Sequence, residues 1–210
     1  HGLSAVSSRF KFTNSSISSP IDLSTAEFKQ SSADPGDIGD IYNIYFKPDG
    51  RRVILMDDTG TDKIYQYDLS IPWDVSSLDT TSKGEFNISS FDGNAYAMNL
   101  SMDGSYLFIV GASDDGINSF RLSTPFDITT ATHERVMDSN LIAGGDDEAL
   151  PSGIVVKPDG TKFYMMGYNK DTIQQYAVTG SLFNINALTQ EHRLPLPPEH
   201  TTFTDLQFTG

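Results

Sequence analysis

One stretch of this chain, Phe46 to Val75, is in effect written three times. It reads FKPDGRRVILMDDTGTDKIYQYDLSIPWDV: a strand pattern, a Pro-Asp-Gly turn, a second strand, an acidic hairpin loop, a third strand and a Ser-x-Pro-x-Asp corner. The grammar returns at Leu100 to Ile128 and at Val156 to Ile185, with first residues spaced by 54 and 56 positions. A period of this length means that each copy is one supersecondary unit, stable only when stacked on its neighbours.

Alternating apolar and polar residues, rich in β-branched and aromatic types, predict about four strands per copy. The first copy places them at Ile41 to Phe46, Val53 to Met56, Ile64 to Leu69 and roughly Gly84 to Ile88. The second places them at Ala95 to Leu100, Tyr106 to Gly111, Ile117 to Leu122 and roughly Glu134 to Asp138. The third uses Gly153 to Val156, Lys162 to Gly167, Ile173 to Val178 and roughly Glu191 to Leu194. Helical periodicity is absent. Four-stranded units repeated radially are the solution of an all-β β-propeller, which leaves only short, protected edges.

A fourth copy is expected in two pieces. Ser19-Pro20-Ile21-Asp22 matches the Thr124-Pro125-Phe126-Asp127 corner, and Phe203 to Phe208 matches the first strand of the other copies. The expected organisation is therefore one domain over residues 1–210 with four blades. Three are whole (35–90, 91–145 and 146–200), and one is split between 1–34 and 201–210. The lone strand near the C-terminus is an edge that invites pairing, within the chain as a clasp or between copies as strand exchange.

FKPDG, VKPDG, KIYQYDLSIPWDV and LSTPFDITTA resemble the PDG-turn β-propeller repeats of bacterial surface proteins and tailed phages. They are more distantly similar to seven-bladed YVTN and lactonase-like propellers. The first resemblance implies a secreted, cell-surface or virion structural and binding module, extracellular and non-enzymatic, with other copies of itself or other surface or virion proteins as partners. The second implies a metal-dependent hydrolase with an acidic site at the channel mouth.

Charge narrows the partners. Asp and Glu number 28 against 14 Lys and Arg, a net charge of −14, so a nucleic-acid backbone is repelled. No cysteine is present, which excludes disulfides and thiolate metal sites. No apolar run approaches the ~20 residues of a membrane-spanning helix, and no membrane insertion is expected.

The Pro-Asp-Gly turns are read as structural: proline fixes φ, aspartate caps the turn and glycine accepts a positive φ. Asp22, Asp74, Asp127 and Asn184, one per corner, are read as caps for loop amides. The loops before each first strand are more suggestive. They carry Asp37 and Asp40, then Asp92, then Asp146, Asp147 and Glu148, and with Asp205 they surround one mouth of the axis. A solvated acidic surface aids solubility; the alternative is a hard-cation site, with Ca²⁺ as the cofactor candidate. No catalytic constellation is legible, and His1, His133, His192 and His200 are scattered. Tyr42, Tyr45, Tyr96, Phe91, Trp73 and Phe126 are either interblade packing or a glycan-stacking surface. These features lead to the expectation of a non-enzymatic structural or binding propeller, with the lactonase-like hydrolase as the alternative.

Overall fold

The computed structural model describes residues 27–36, 38–57, 60, 62–113, 116–138, 151–167 and 172–195. Residues 1–30 and 31–210 form two compact units, and everything below concerns the second. Its described residues form three four-stranded antiparallel meanders. The first is β1 (Ile41–Phe46), β2 (Arg52–Asp57), β3 (Lys63–Asp68) and β4 (Gly84–Asn87). The second is β5 (Ala95–Leu100), β6 (Tyr106–Gly111), β7 (Gly116–Leu122) and β8 (Ala131–Asp138). The third is β9 (Pro151–Val156), β10 (Lys162–Gly167), β11 (Thr172–Val178) and β12 (Leu188–Pro195). The first strand of the middle blade, β5, touches both β1 and β9, which is the radial order of a propeller. Of the expected split fourth blade, residues 27–34 are described and carry no strand, while 1–26 and 201–210, with the clasp strand 203–208, lie outside the described residues.

The first three strands of each blade fall where the repeat places them. The outer strands β8 and β12 run longer than their apolar patterns suggest, starting at Ala131 and Leu188. An edge strand is held by backbone pairing to one neighbour, and much of its side-chain surface faces water, so hydrophobic alternation under-reports it.

Each seam between blades is a thin apolar layer. Ile54, Met56 and Ile64 of the first blade meet Met98, Leu100, Leu107, Ile109, Phe120 and Leu122 of the second. Ala97, Phe108, Val110 and Ile117 of the second blade meet Ile154, Val156, Phe163, Met165 and Tyr176 of the third. The two faces of a strand therefore serve two different seams, as a period of two residues demands. Phe108 and Phe163 cross this second seam edge to face, their centroids 4.9 Å apart.

The corner of each blade is built identically. The turn glycines Gly50, Gly104 and Gly160 have φ of +69°, +71° and +70°. Over each lies the ring of the corner aromatic, Trp73, Phe126 or Phe183. A Cβ on the glycine would meet that ring at 2.4, 2.4 or 2.7 Å. The aromatics themselves have φ of 64°, 59° and 62°, a left-handed conformation that costs a non-glycine residue roughly 1–2 kcal/mol. Their amides donate to the glycine carbonyls at 2.9, 3.0 and 3.2 Å, which fixes the ring above the turn. Asp74, Asp127 and Asn184 then cap short 3₁₀ turns by accepting from Ser76, Thr129 and Asn186 amides. The reading of these residues as structural caps holds.

Two measurements test this corner. Gly104→Ala adds a Cβ that the Phe126 ring already occupies, on a left-handed backbone. Urea unfolding should show a loss of about 2–4 kcal/mol, and a loss under ~0.5 kcal/mol is incompatible with the stacked geometry. The turn aspartates give a pH dependence. Lys157, followed by the Thr161 hydroxyl and amide, holds the Asp159 carboxyl down to about 2. Lys47 and the Arg51 amide lower Asp49 in the same way. A carboxyl depressed in the folded state stabilises it above the ordinary value near ~4 and loses that contribution as pH falls. Melting temperature should therefore fall between about pH 4 and about pH 2, less steeply in Asp159→Asn. Equal slopes would exclude a role for this turn.

Candidate functional site

The loops that precede the inner strands gather at one end of the blades, opposite the Pro-Asp-Gly turns. Of the seven acidic residues expected to form a cation site there, Asp40 and Asp92 are described; Asp37, Asp146, Asp147, Glu148 and Asp205 lie outside the described residues. The two that are described have different surroundings. Asp40 is exposed. Asp92 is 1% exposed, and its Oδ1 accepts from the amides of Asn94 at 3.0 Å and Ser113 at 3.2 Å. It ties the β4–β5 loop to the β6–β7 loop, and a Cβ on Gly111 would lie 2.5 Å from its Oδ2. Asp57, also buried, takes the Gly39 amide at 3.2 Å. Among the described residues, no group of three or more His, Cys, Asp or Glu is placed to hold a metal ion.

The aromatic candidates separate cleanly. Trp73 and Phe126 roof the turn glycines at the far end. Phe91 packs against Phe120, with centroids 5.0 Å apart. Tyr45 leans on the first seam, and burial pushes its phenol up to about 12. Tyr42 and Tyr96 remain, each the second residue of an inner strand. Their rings stack across the first seam at 6.3 Å with planes 27° apart. Tyr42 is 48% exposed, and Asn94 Nδ2 donates to the Tyr96 hydroxyl at 3.1 Å. The pair is an aromatic platform at the loop end of the inner strands, with the exposed Asp40 two residues before Tyr42. Sequence reading lists both tyrosines but not the pairing. The only signal for it is their shared register at the second position of β1 and β5.

Neighbouring groups do structural work. Ala97 belongs to the second seam, and Asn99 Oδ1 accepts from the Val156 amide at 3.4 Å, joining two inner strands. His133 packs over Phe91 at 4.6 Å and lies 3.2 Å from Asn118 Oδ1; His192 is exposed on β12.

A family model described as lactonase, 7-bladed beta-propeller, matches residues 13–195, and the chain belongs to that family. No curated protein matches the chain. Among solved structures it is similar to a putative 6-phosphogluconolactonase from Bacteroides fragilis, with 18% identity, 81% of this chain and 46% of that chain covered, and a TM-score of 0.53. A second similar structure is a putative 6-phosphogluconolactonase from Bacteroides uniformis, at 16% identity, covering 80% and 46% of the two chains, with a TM-score of 0.48. A third is a protein from Lactobacillus plantarum, at 17%, 75% and 42%, with a TM-score of 0.48. The chain spans less than half the length of these structures. At such identities the likeness shows the fold.

These findings correct two expectations. The membership is in the lactonase-like propellers, not in a bacterial-surface or tailed-phage repeat family. The expectation of a non-enzyme is overturned by that membership, which points to a hydrolase. The physical reason for the miss is that a propeller assembles its site from separate loops around one mouth. No contiguous motif marks such a site in the sequence.

The buried geometry of Asp92 makes its own prediction. Asp92→Ala leaves two loop amides unpaired and should cost about 2–3 kcal/mol. The cost should be the same in Ca²⁺ and in chelator, by thermal or urea unfolding. A penalty that appears only with Ca²⁺ present would assign Asp92 to a cation instead.

Proposed function

We propose that this chain forms part of a lactone-hydrolysing propeller, with the Tyr42–Tyr96 platform seating the ring of a sugar-derived lactone. The observation that carries the reading is the stacked pair at the loop end of the inner strands, with Tyr42 half exposed, in a chain of the lactonase family. A saturated ring bearing hydroxyls presents a C–H face that packs on tyrosine, and its polar rim reaches the surrounding loops. The Asn94 bond to the Tyr96 hydroxyl fixes the platform before substrate arrives.

The chemistry asks for little beyond placement. Water adds to the ring carbonyl carbon, an oxyanion forms, and the ring C–O bond breaks with a proton delivered to the departing alkoxide. Asp40, exposed two residues before Tyr42, accepts the proton of the attacking water. A positioned base of this kind contributes about 10²–10⁴ in rate.

Hydrolysis of an aldonic acid δ-lactone, followed by acid release near neutral pH, tests the reading. Tyr42→Ala should raise KM roughly three- to tenfold, matching the loss of one aromatic stack, whereas Tyr42→Phe should keep the wild-type value. Asp40→Asn should lower kcat about 10²-fold or more. Release no faster than the uncatalysed reaction, or a KM indifferent to Tyr42→Ala, would sink the proposal.

A further inference from the structure

The end of the blades opposite the tyrosine platform carries a groove of about 340 Å³ between the first two blades, lined by Lys47, Arg51, Arg52, Asp68, Leu69, Pro125 and Phe126. Three cations meet there in a chain of net charge −14. We infer that this groove binds a small-molecule oxyanion, a phosphate or carboxylate group, in contact with Lys47, Arg51 and Arg52.

The repeats supply an internal control. Arg51 and Arg52 leave the first Pro-Asp-Gly turn, where the second copy has Ser105 and Tyr106 and the third has Thr161 and Lys162. In those copies the hydroxyl after the glycine donates to the turn aspartate, Ser105 to Asp103 at 2.8 Å and Thr161 to Asp159 at 2.6 Å. The first copy keeps only the amide bond, Arg51 N to Asp49 at 3.0 Å, and gives up the hydroxyl bond for a guanidinium. The fold builds this turn without arginine twice, so the turn itself does not require Arg51.

The groove is also held open in a set geometry. Arg52 Nε pairs with Asp68 at 2.8 Å while its Nη1 donates to the Phe126 carbonyl at 3.2 Å. That fixes one guanidinium across the seam. Lys47 Nζ bonds Asp49 at 2.9 Å and stands 5.6 Å from the Phe126 ring centroid. Phe126 cannot swing away, because its ring lies on Gly104. Arg51 is exposed and makes no ion pair among the described residues. A guanidinium offers paired, parallel donors to the two oxygens of a carboxylate or phosphate. The volume is at the lower end of the range for small-molecule sites.

NMR titration of the whole chain with inorganic phosphate, and separately with acetate, tests the inference against NaCl at matched ionic strength. The expected result is saturable shifts of the Arg51 and Phe126 amides in the phosphate arm, the acetate arm or both. Whichever arm saturates identifies the group. Arg51→Ser and, separately, Lys47→Ser install the residues the second copy uses. Each should weaken binding by about tenfold, the worth of one charge-assisted hydrogen bond, with melting temperature unchanged in Arg51→Ser. Shifts reproduced by NaCl, shifts that never saturate, or binding unaltered in both variants would overturn it.

Discussion

Everything in this fold hangs on a ring that lies flat on a glycine. A turn glycine takes the left-handed region at little cost, whereas an aromatic residue in the same region is unfavourable alone. Together they make one contact: Trp73 on Gly50, Phe126 on Gly104, Phe183 on Gly160. The absent Cβ creates the seat, and the strained aromatic backbone turns the ring into it. The bond from aromatic amide to glycine carbonyl closes the unit. Because the contact joins the first hairpin of a blade to its third strand, it fixes how the meander folds back before any second blade is added. It also sets where the next cap falls, since Asp74, Asp127 and Asn184 each follow the aromatic directly.

Blades so closed still have to find their neighbours, and the seams combine an apolar layer with a few polar latches. Gln66 is 2% exposed and fully used. Its Nε2 donates to the Lys83 carbonyl at 3.2 Å and to Asp127 Oδ1 at 3.0 Å, and its Oε1 accepts from the Ile128 amide at 3.0 Å. One amide side chain from the first blade thus serves the corner of the second. Ser119 stands at the matching place in the second blade, too short for that reach, and the second seam relies more on rings, with Phe108 crossing Phe163. Desolvated polar latches tolerate little misalignment, whereas an apolar layer tolerates more. The first seam is therefore the more specific of the two.

The sequence made the turns, the inner strands and the caps legible because each rests on short-range chemistry repeated three times. Repetition separates signal from accident: a glycine in one turn is weak, the same glycine in three turns is a rule. Function was less legible for the same reason. Asp92 reads as one more surface acid until the fold turns its carboxylate onto two loop amides. Tyr42 and Tyr96 are 54 residues apart, and nothing local says that their rings meet. Arg51 and Arg52 vanish in a strongly negative total charge, although the comparison among copies was available in the sequence. The likeness to lactonase-like propellers was legible in the repeats as the more distant of two resemblances, but the residues of a site shared among separate loops leave no motif.

The corner also governs how such a protein can grow. A unit that completes its own bend with one ring, one glycine and one cap asks its neighbour only for a matching apolar face and a latch. Such units are interchangeable parts. A chain can lengthen by copying one whole, and the copy arrives already able to fold back on itself. Residues outside the corner are then free to drift apart, so identical architecture carries different side chains at each spoke. That freedom is visible here in Arg51, Ser105 and Thr161, three answers at one address. A wheel built this way becomes chemically lopsided without becoming structurally so, and lopsidedness is what lets a symmetric object hold an asymmetric molecule.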